Sequence, residues 1–128
     1  MPAVHEIMTR DVLAVESTTR LPEAAARMHE RGVGAVVVVE GGRLVGIFTE
    51  RDVLRAVATG TVDGPVGDTM TRAPETIGQD EATSQAAALM IHGGFRHLPV
   101  VAGDDVVGMI SIRDLIRVSI DDEAPRGA

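Results

Sequence analysis

The sequence lacks several residue types, and each absence limits what the protein can do. Its 128 residues include no cysteine, which excludes disulfides, thiolate catalysis and cysteine-ligated metals and fits a cytoplasmic location. Tryptophan and tyrosine are absent and phenylalanine occurs twice, so a stacking platform for single-stranded nucleic acid is not expected. Lysine is also absent, and arginine supplies all twelve basic residues. A GC-rich genome and a need for planar phosphate recognition both explain that bias, and the sequence leaves both explanations open.

The charge balance and the short apolar runs exclude two further classes of partner. The formal net charge is −7, and phosphate backbones repel an acidic surface, so we expect no nucleic-acid partner. The longest apolar runs, such as 35–39, fall far short of the roughly 18 residues that span a bilayer. The chain does not open on a charged and then apolar leader, so we expect neither secretion nor contact with a membrane.

Most of the chain consists of two copies of one sequence repeat, separated by an offset of 62 residues. Residues 8–10, Met-Thr-Arg, return at 70–72, and matches continue without a gap to Arg55 and Arg117. A unit of this length buries too little surface to be comfortably stable alone, so the two copies are expected to share a core through a pseudo-two-fold axis. Such an axis predicts two related clefts, one contributed mainly by each copy.

Each copy predicts the same elements: an extended segment, a helix, two strands joined by a tight turn, and a second helix. In the first copy these are 12–15, a helix with Leu21, Ala24, Ala25 and Met28 on one face, then 35–39, 44–48 and 50–58. In the second they are 75–77, a helix with Ala86, Ala87 and Met90 on one face, then 96–101, 106–110 and 112–120. Gly32 and Gly94 are predicted to end the first helix of each copy. Thr18 or Thr19, and Asp80, are predicted to cap its start.

The two strand-to-helix junctions carry the residues that suit nucleotide chemistry. Residues 46–52 and 108–114 both read Gly, two apolar residues, a hydroxyl residue, one variable residue and then Arg-Asp. A helix N-terminus presents N–H groups to an anion, and a first-turn carboxylate can accept both hydroxyls of a ribose. The glycine lets either a ligand or another strand approach the backbone. A purely structural reading also stands, in which the hydroxyl residues are N-caps and the aspartates favour the helix dipole.

The ordered repeat of this junction resembles a pair of cystathionine β-synthase (CBS) domains, the Bateman module. The resemblance covers the chain from Val4 to Ile120. It is carried by Ile-Met-Thr-Arg at 7–10 with its echo at 69–72, by Arg-His-Leu-Pro-Val-Val at 96–101, and by the two Gly-x-x-(Thr/Ser)-x-x-Asp junctions. It implies an α/β fold of the α+β type, in which two pseudo-two-fold-related β-α-β-β-α CBS units pack as one CBS pair. The implied boundaries are CBS domain 1 at 4–58, a linker at 59–65, CBS domain 2 at 66–120 and a flexible tail at 121–128.

The resemblance also implies a ligand and its contacts. CBS pairs bind adenosyl ligands (AMP, ADP, ATP, and sometimes S-adenosylmethionine or a dinucleotide such as NAD) in clefts between the two copies. Ten residues are implied in contact: Asp52 and Asp114 with ribose hydroxyls, Thr49 and Ser111 with ribose or phosphate, the backbone around Val12, Ala14, Pro74 and Thr76 with the base, and Arg96 and His97 with phosphates. Neither a catalytic cofactor nor a metal is implied.

The two copies differ at the strand that carries the basic pair. Where the second copy has Arg96 and His97, the first has Gly34 and Ala35, so its cleft lacks two cationic contacts. The Asp114 cleft is therefore expected to be the better phosphate site, and the Asp52 cleft to be weak, empty or suited to a less charged ligand. Arg51 and Arg113 are candidates for compensation, although arginines on a first helical turn usually face solvent.

Two other kinds of site have little support. The four histidines (His5, His29, His92 and His97) include no pair with the i, i+4 spacing of a helical metal site, so no metal is expected. The hydroxyl residues lack a base and an orienting group, so nucleophilic catalysis is not expected. Some stand-alone CBS proteins are labelled as relatives of inosine monophosphate dehydrogenase. That catalytic barrel does not fit in 128 residues, and its catalytic cysteine is missing.

The sequence thus predicts a regulatory module that senses an adenine nucleotide and acts in trans on a partner protein. A homodimer is expected, because CBS pairs commonly dimerise through helical faces and the apolar helices 50–58 and 112–120 suit that role. The alternative is a dimerisation or interaction scaffold that no longer binds ligand. A sensor of S-adenosylmethionine or of a dinucleotide is a less favoured variant of the first reading.

Overall fold

The computed structural model describes residues 2–123, with side chains described up to residue 120. Within that range the α-helices are α1 (Val4–Ile7), α2 (Leu21–Arg31), α3 (Glu50–Thr59), α4 (Thr83–Gly93) and α5 (Ile112–Glu123). The strands are β1 (Ala14–Glu16), β2 (Ala35–Glu40), β3 (Arg43–Thr49), β4 (Thr71–Arg72), β5 (Ile77–Gly78), β6 (His97–Ala102) and β7 (Asp105–Ser111). A turn of 3-10 helix spans Val66–Asp68. The predicted α+β class and the β-α-β-β-α order of both copies are confirmed.

The chain forms two compact units whose boundaries cross those of the repeat. The inner unit is Val12–Pro74, and the outer unit is Met1–Asp11 together with Glu75–Ala128. The segment that opens the second repeat therefore folds with the body of the first repeat. The segment that opens the first repeat folds with the body of the second.

The inner unit is built around a four-stranded sheet in the order β1-β2-β3-β4. Strand β1 is parallel to β2, and the other neighbours are antiparallel. The central β-branched run is buried from Ala35 to Val38, as its continuous apolar pattern predicted. One face of α2 packs into the core through Leu21, Ala24 and Met28. The sheet carries β4 at its edge because residues of the second repeat's opening segment pair with β3.

The outer unit repeats this plan with a three-stranded sheet in the order β5-β6-β7. The opening segment of the first repeat takes the place that β4 has in the inner unit. Thr9 pairs with Met109 of β7 through two backbone hydrogen bonds of 2.9 Å each. Val4 of α1 is fully buried in this core, beside residues of α4, β6 and β7. Four residues of α1 thus contribute to the fold of a repeat that begins some sixty residues later.

The junction glycines are explained by these edge pairings. A Cβ atom on Gly46 would lie 2.5 Å from Met70 Sδ and 2.9 Å from the Thr71 carbonyl oxygen. A Cβ on Gly108 would likewise collide with Met8 and would lie 2.9 Å from the carbonyl oxygen of Thr9. Of the two reasons that the sequence left open for these glycines, the close approach of another strand is the one that the structure supports.

For the first helix of each copy, the predicted C-terminal end is confirmed and the predicted N-cap is not. Gly32 and Gly94 adopt the left-handed conformation just after α2 and α4, as predicted. The predicted caps Thr18, Thr19 and Asp80 are wrong, because the N-cap positions belong to Arg20 and Ala82, which provide no side-chain cap. Backbone carbonyls provide the acceptors instead. The Leu21 N–H donates to Gly64 O at 2.9 Å, and the Thr83 N–H donates to Pro2 O at 3.0 Å.

The connecting segments are more structured than their composition indicates. Gly60 ends α3 in the left-handed conformation, and Pro65 forms an isolated bridge with Arg20, so the predicted linker packs against the start of α2. Helix α5 continues to Glu123, three residues into the predicted tail, and residues 124–128 lie outside the described range. Within the described residues, no helix combines the length and the apolar character needed to cross a membrane.

Candidate functional site

The inner junction is a reciprocal capping arrangement between the end of β3 and the first turn of α3. The Thr49 backbone N–H donates to Asp52 Oδ2 at 2.9 Å, and the Thr49 hydroxyl donates to the same oxygen at 3.2 Å. In return the Asp52 backbone N–H donates to Thr49 Oγ1 at 3.4 Å. These bonds satisfy N–H groups at the helix start and fix the position of the carboxylate.

The outer junction repeats this arrangement between β7 and α5. The Ser111 backbone N–H and hydroxyl donate to Asp114 Oδ2 at 2.8 and 3.0 Å, and the Asp114 N–H donates to Ser111 Oγ at 3.2 Å. Both hydroxyl residues are therefore caps, as the structural reading of the sequence predicts. The capping bonds use Oδ2 of each aspartate, so the other carboxylate oxygen, Oδ1, can have a different partner.

The second carboxylate oxygen distinguishes the two junctions. In the inner unit Arg55 Nη2 donates to Asp52 Oδ1 and also to the backbone carbonyl of Thr69 at 3.1 Å. Asp52 is buried, with 3% of its surface exposed. Asp114 is half-buried, and among residues 2–120 no hydrogen bond to its Oδ1 is found. Of the two junction aspartates, as far as the described residues show, Asp114 is therefore the one with a carboxylate oxygen available to a ligand hydroxyl.

The register of the inner sheet places the predicted base-flanking residues near the junction. Ala14 pairs with Val37 in the parallel β1–β2 ladder, and Ala35 pairs with Thr49 across the antiparallel β2–β3 ladder. Val12, which precedes β1, and Thr49 therefore lie at the same end of one sheet, two strands apart. Two strand spacings correspond to roughly 10 Å, which is the span of a nucleoside.

The outer sheet groups the predicted phosphate and ribose contacts. His97 lies directly opposite Ser111 in the β6–β7 ladder, and the carbonyl of Arg96 accepts a 2.8 Å hydrogen bond from Ile112 N–H at the start of α5. Arg96 is exposed and His97 is half-buried. The basic pair therefore lies beside the Ser111–Asp114 cap in the sequence register of the sheet. The inner unit has Gly34 in the place of Arg96, and the Gly34 carbonyl accepts the corresponding bond from Glu50.

The remaining predicted contacts are divided between the units. Thr76 immediately precedes β5 in the outer unit, whereas Pro74 is the last residue of the inner unit. Arg51 and Arg113 are both exposed on the first turns of α3 and α5. Among the residues that the structure describes, no group of three or more histidine, aspartate or glutamate side chains has an arrangement that could hold a metal ion.

Arg55 is the residue at this site that sequence reasoning did not assign. The signal was present, because an aspartate and an arginine three positions apart lie on the same helical face. Such pairs are common on exposed helices, where they contribute little, and the sequence does not reveal that Asp52 is buried.

Comparisons with known proteins identify the family. The CBS domain family model matches residues 4–59 and again residues 66–121. A CBS domain-containing protein of Bacillus subtilis, YhcV, is 36% identical over 118 residues, which is 90% of this chain and 84% of that protein.

Two solved structures extend the likeness to the fold. One is the CBS domain pair of protein MJ0100, solved with 5′-methylthioadenosine and S-adenosyl-L-methionine, with a TM-score of 0.91, 26% identity and coverage of 96% of this chain and 99% of that one. The other is a CBS domain protein of Pyrobaculum aerophilum complexed with AMP, with a TM-score of 0.83, 28% identity and coverage of 94% and 99%. Two matches of the family model over nearly the whole chain, on a fold shared with these pairs, show that the chain belongs to the CBS domain family.

Proposed function

We propose that this protein is a regulatory module that binds an adenosine-containing ligand, with Asp114 as the principal ribose acceptor. AMP, ADP and ATP are the favoured ligands, ahead of S-adenosylmethionine and NAD. The protein passes the binding signal to a partner protein and works in the cytoplasm, where these nucleotides are metabolites. It acts as a regulator and not as an enzyme.

One observation carries this proposal: Asp114, Ser111, Arg96 and His97 all lie at the end of the outer sheet where α5 begins. Asp114 Oδ1 accepts from a ribose hydroxyl, and a charge-assisted hydrogen bond of this kind contributes about 1.5–3 kcal/mol. His97, opposite Ser111 in the β6–β7 ladder, and Arg96, the residue before β6, supply the cationic contacts for a phosphate. The N-terminus of α5 adds a favourable dipole for the same anion.

The structural relatives support the class of ligand. The Pyrobaculum protein was solved with AMP, and the MJ0100 pair was solved with two other adenosine derivatives. Adenosine is the part that these ligands share, whereas the substituent at the 5′ position differs. In the outer unit, Asp114, the hydroxyl of Ser111 and the backbone around Thr76 are the proposed contacts for that shared part. The corresponding set in the inner unit is Asp52, Thr49 and the backbone around Val12, Ala14 and Pro74, and there the carboxylate already accepts a hydrogen bond from Arg55.

Exposed apolar residues support a homodimer as part of the proposal. On α3, Leu54 and Val57 are 70% and 62% exposed, and on α5, Ile116 and Ile120 are 52% and 61% exposed. Each pair lies on one helical face, at i, i+3 or i, i+4. Exposed apolar faces of this kind are typical of association surfaces. Sedimentation analysis should show a dimer that Leu54→Glu weakens and that Gln85→Glu, an exposed change of the same charge on α4, leaves intact.

The same exposed faces favour the second candidate function, a dimerisation scaffold without a ligand. In that case Ser111 and Asp114 would serve as a helix cap alone. The two functions differ in one measurable property, which is stabilisation by ligand.

The deciding experiment is thermal unfolding of the protein with AMP, ADP, ATP, S-adenosylmethionine or NAD. A ligand at 100 times its dissociation constant should stabilise the fold by about 2.7 kcal/mol, which raises the melting temperature by several degrees. Asp114→Asn should remove most of that shift, because the amide oxygen takes the place of Oδ2 in the Ser111 cap and the NH2 group, which cannot accept, takes the place of Oδ1. Asp104→Asn in the β6–β7 turn is the matched control. If none of the five ligands shifts the transition, the scaffold function is the correct one.

A further inference from the structure

Both oxygens of the Asp52 carboxylate already accept hydrogen bonds from the protein's own donors. Its Oδ2 accepts the backbone N–H and the hydroxyl of Thr49, and its Oδ1 accepts from Arg55 Nη2. The Asp52 side chain is 4% exposed, whereas the Arg55 side chain is 54% exposed. The exposed Arg55 therefore contacts the buried carboxylate, and it occupies the oxygen that a ribose hydroxyl would need.

Arg55 is held in this position from a second side. Its Nη2 also donates to the carbonyl of Thr69 at 3.1 Å. Thr69 follows the 3-10 helix Val66–Asp68, and its N–H is bonded to Val66 O at 3.0 Å. Because that carbonyl belongs to the ordered backbone of the inner unit, the arginine is fixed by two acceptors instead of one flexible ion pair.

The outer unit has the same residue types without the same contact. Arg117 lies three positions after Asp114, as Arg55 does after Asp52. Among residues 2–120, no ion pair joins Arg117 to Asp114, and Asp114 is more exposed than Asp52. The position that corresponds to Thr69 is Ile7, which lies in α1 and not after a 3-10 turn. The two junctions thus differ in the arginine contact although their sequences match.

We propose that Arg55 is a latch that closes the Asp52 carboxylate to ligand, so that the wild-type chain binds one adenosine-containing ligand, at Asp114. This inference rests on the proposed function, since it assigns which of the two carboxylates is open. A ligand reaches Asp52 only when Arg55 leaves both the carboxylate and the Thr69 carbonyl. Arg55 is thus a specificity-determining residue that sets the stoichiometry of the module.

The experiment replaces Arg55 in a chain whose Asp114 site has been disabled by a second substitution. AMP binding is measured by calorimetry for the wild type, Asp114→Asn, Arg55→Met and the double variant Arg55→Met with Asp114→Asn. Methionine keeps an unbranched side chain of good helix propensity but has no donor. We expect one site in the wild type, at least a tenfold loss of affinity in D114N, two sites in R55M, and recovery of one site in the double variant. Arg117→Met is the control and should leave one site.

Each other outcome overturns the latch. If the double variant fails to bind while the wild type binds, Arg55 does not close Asp52, although the proposed function stands. If D114N alone binds as well as the wild type, Asp52 is open despite Arg55. If neither the wild type nor any variant binds AMP, ADP, ATP, S-adenosylmethionine or NAD, the proposed function fails and the latch with it. Circular dichroism verifies that each variant is folded, and Arg55→Leu, which also has no donor and has good helix propensity, replaces R55M in the same series should R55M unfold.

Discussion

Gly108 lies so close to Met8 that a Cβ atom on the glycine would collide with the methionine side chain. The same Cβ would lie 2.9 Å from the carbonyl oxygen of Thr9, which is bonded to β7 and cannot move away freely. The edge of the outer sheet therefore requires glycine at this position for packing, independently of any ligand.

Gly108→Ala should destabilise the protein by about 1–3 kcal/mol, the usual cost of overpacking a filled site. Urea denaturation followed by circular dichroism measures this change. Gly78→Ala is the control in the same unit, because its Cβ would meet nothing nearer than Glu81 Cγ at 3.6 Å. Its effect should stay within about 0.5 kcal/mol. Similar losses from both substitutions would show that the contact with Met8 is not the cause.

Thr83 carries a buried hydroxyl that the fold does not use. The residue is fully buried, and among the described residues its Oγ1 has no hydrogen-bond partner. The first repeat has Leu21 at the corresponding position, which shows that an apolar side chain suits this site. Thr83→Val keeps the branched shape and removes the desolvated hydroxyl.

We expect Thr83→Val to stabilise the protein by about 1–2 kcal/mol, since an unsatisfied buried polar group costs about 1–3 kcal/mol. Thermal unfolding measures the gain as a higher melting temperature. Thr18→Val, at an exposed position, should change stability by less than about 0.5 kcal/mol. A loss of stability in the buried variant would mean that the hydroxyl has an acceptor.

Val4 and Val66 occupy corresponding positions in the two repeats and are both fully buried. Val4 packs in the core of the outer unit and Val66 in the core of the inner unit. If each opening segment stabilises the body of the other repeat, shortening the Val4 side chain and shortening the Val66 side chain must weaken different strands.

Val4→Ala and Val66→Ala should each cost about 1–3 kcal/mol, because each removes buried methyl groups and leaves a cavity. Hydrogen exchange measured by mass spectrometry distinguishes their locations. Val4→Ala should raise exchange in β6 and β7, and Val66→Ala should raise it in β2 and β3. The reverse assignment, with V4A loosening β2 and β3, would contradict the exchange of opening segments.

The sequence predicted the elements of each repeat because their signals are local. Continuous β-branched residues identified β2, the spacing of apolar residues identified α2, and Gly32 and Gly94 marked helix ends. The opening segments gave no such signal. Strand β4 has two residues and α1 has four, which is too short for periodicity, and Thr9 pairs with a residue one hundred positions later. Pairings of that range are set by the fold of the whole unit.

For the candidate site, too, the sequence predicted the local contacts but not the long-range ones. The two hydroxyl–aspartate pairs follow from their spacing at a helix start, and the structure joins each pair by hydrogen bonds. The difference between the carboxylates could not be predicted. It depends on the burial of Asp52 and on a backbone carbonyl at Thr69, neither of which residue identity reveals.

Alanine substitutions at Ser111 and Thr49 distinguish the effect of a helix cap on stability from the effect of a ligand contact on affinity. Both hydroxyls cap a helix, so Ser111→Ala and Thr49→Ala should each reduce stability by about 0.5–2 kcal/mol. Only Ser111 stands beside a carboxylate with an available oxygen. Ser111→Ala should therefore also weaken AMP binding by roughly 2- to 10-fold, the equivalent of one hydrogen bond of 0.5–1.5 kcal/mol. Thr49→Ala should leave AMP affinity unchanged in calorimetric titration. A pure cap at Ser111 would give the same affinity in both variants, and a weaker affinity in T49A would mean that the ligand contacts the inner junction.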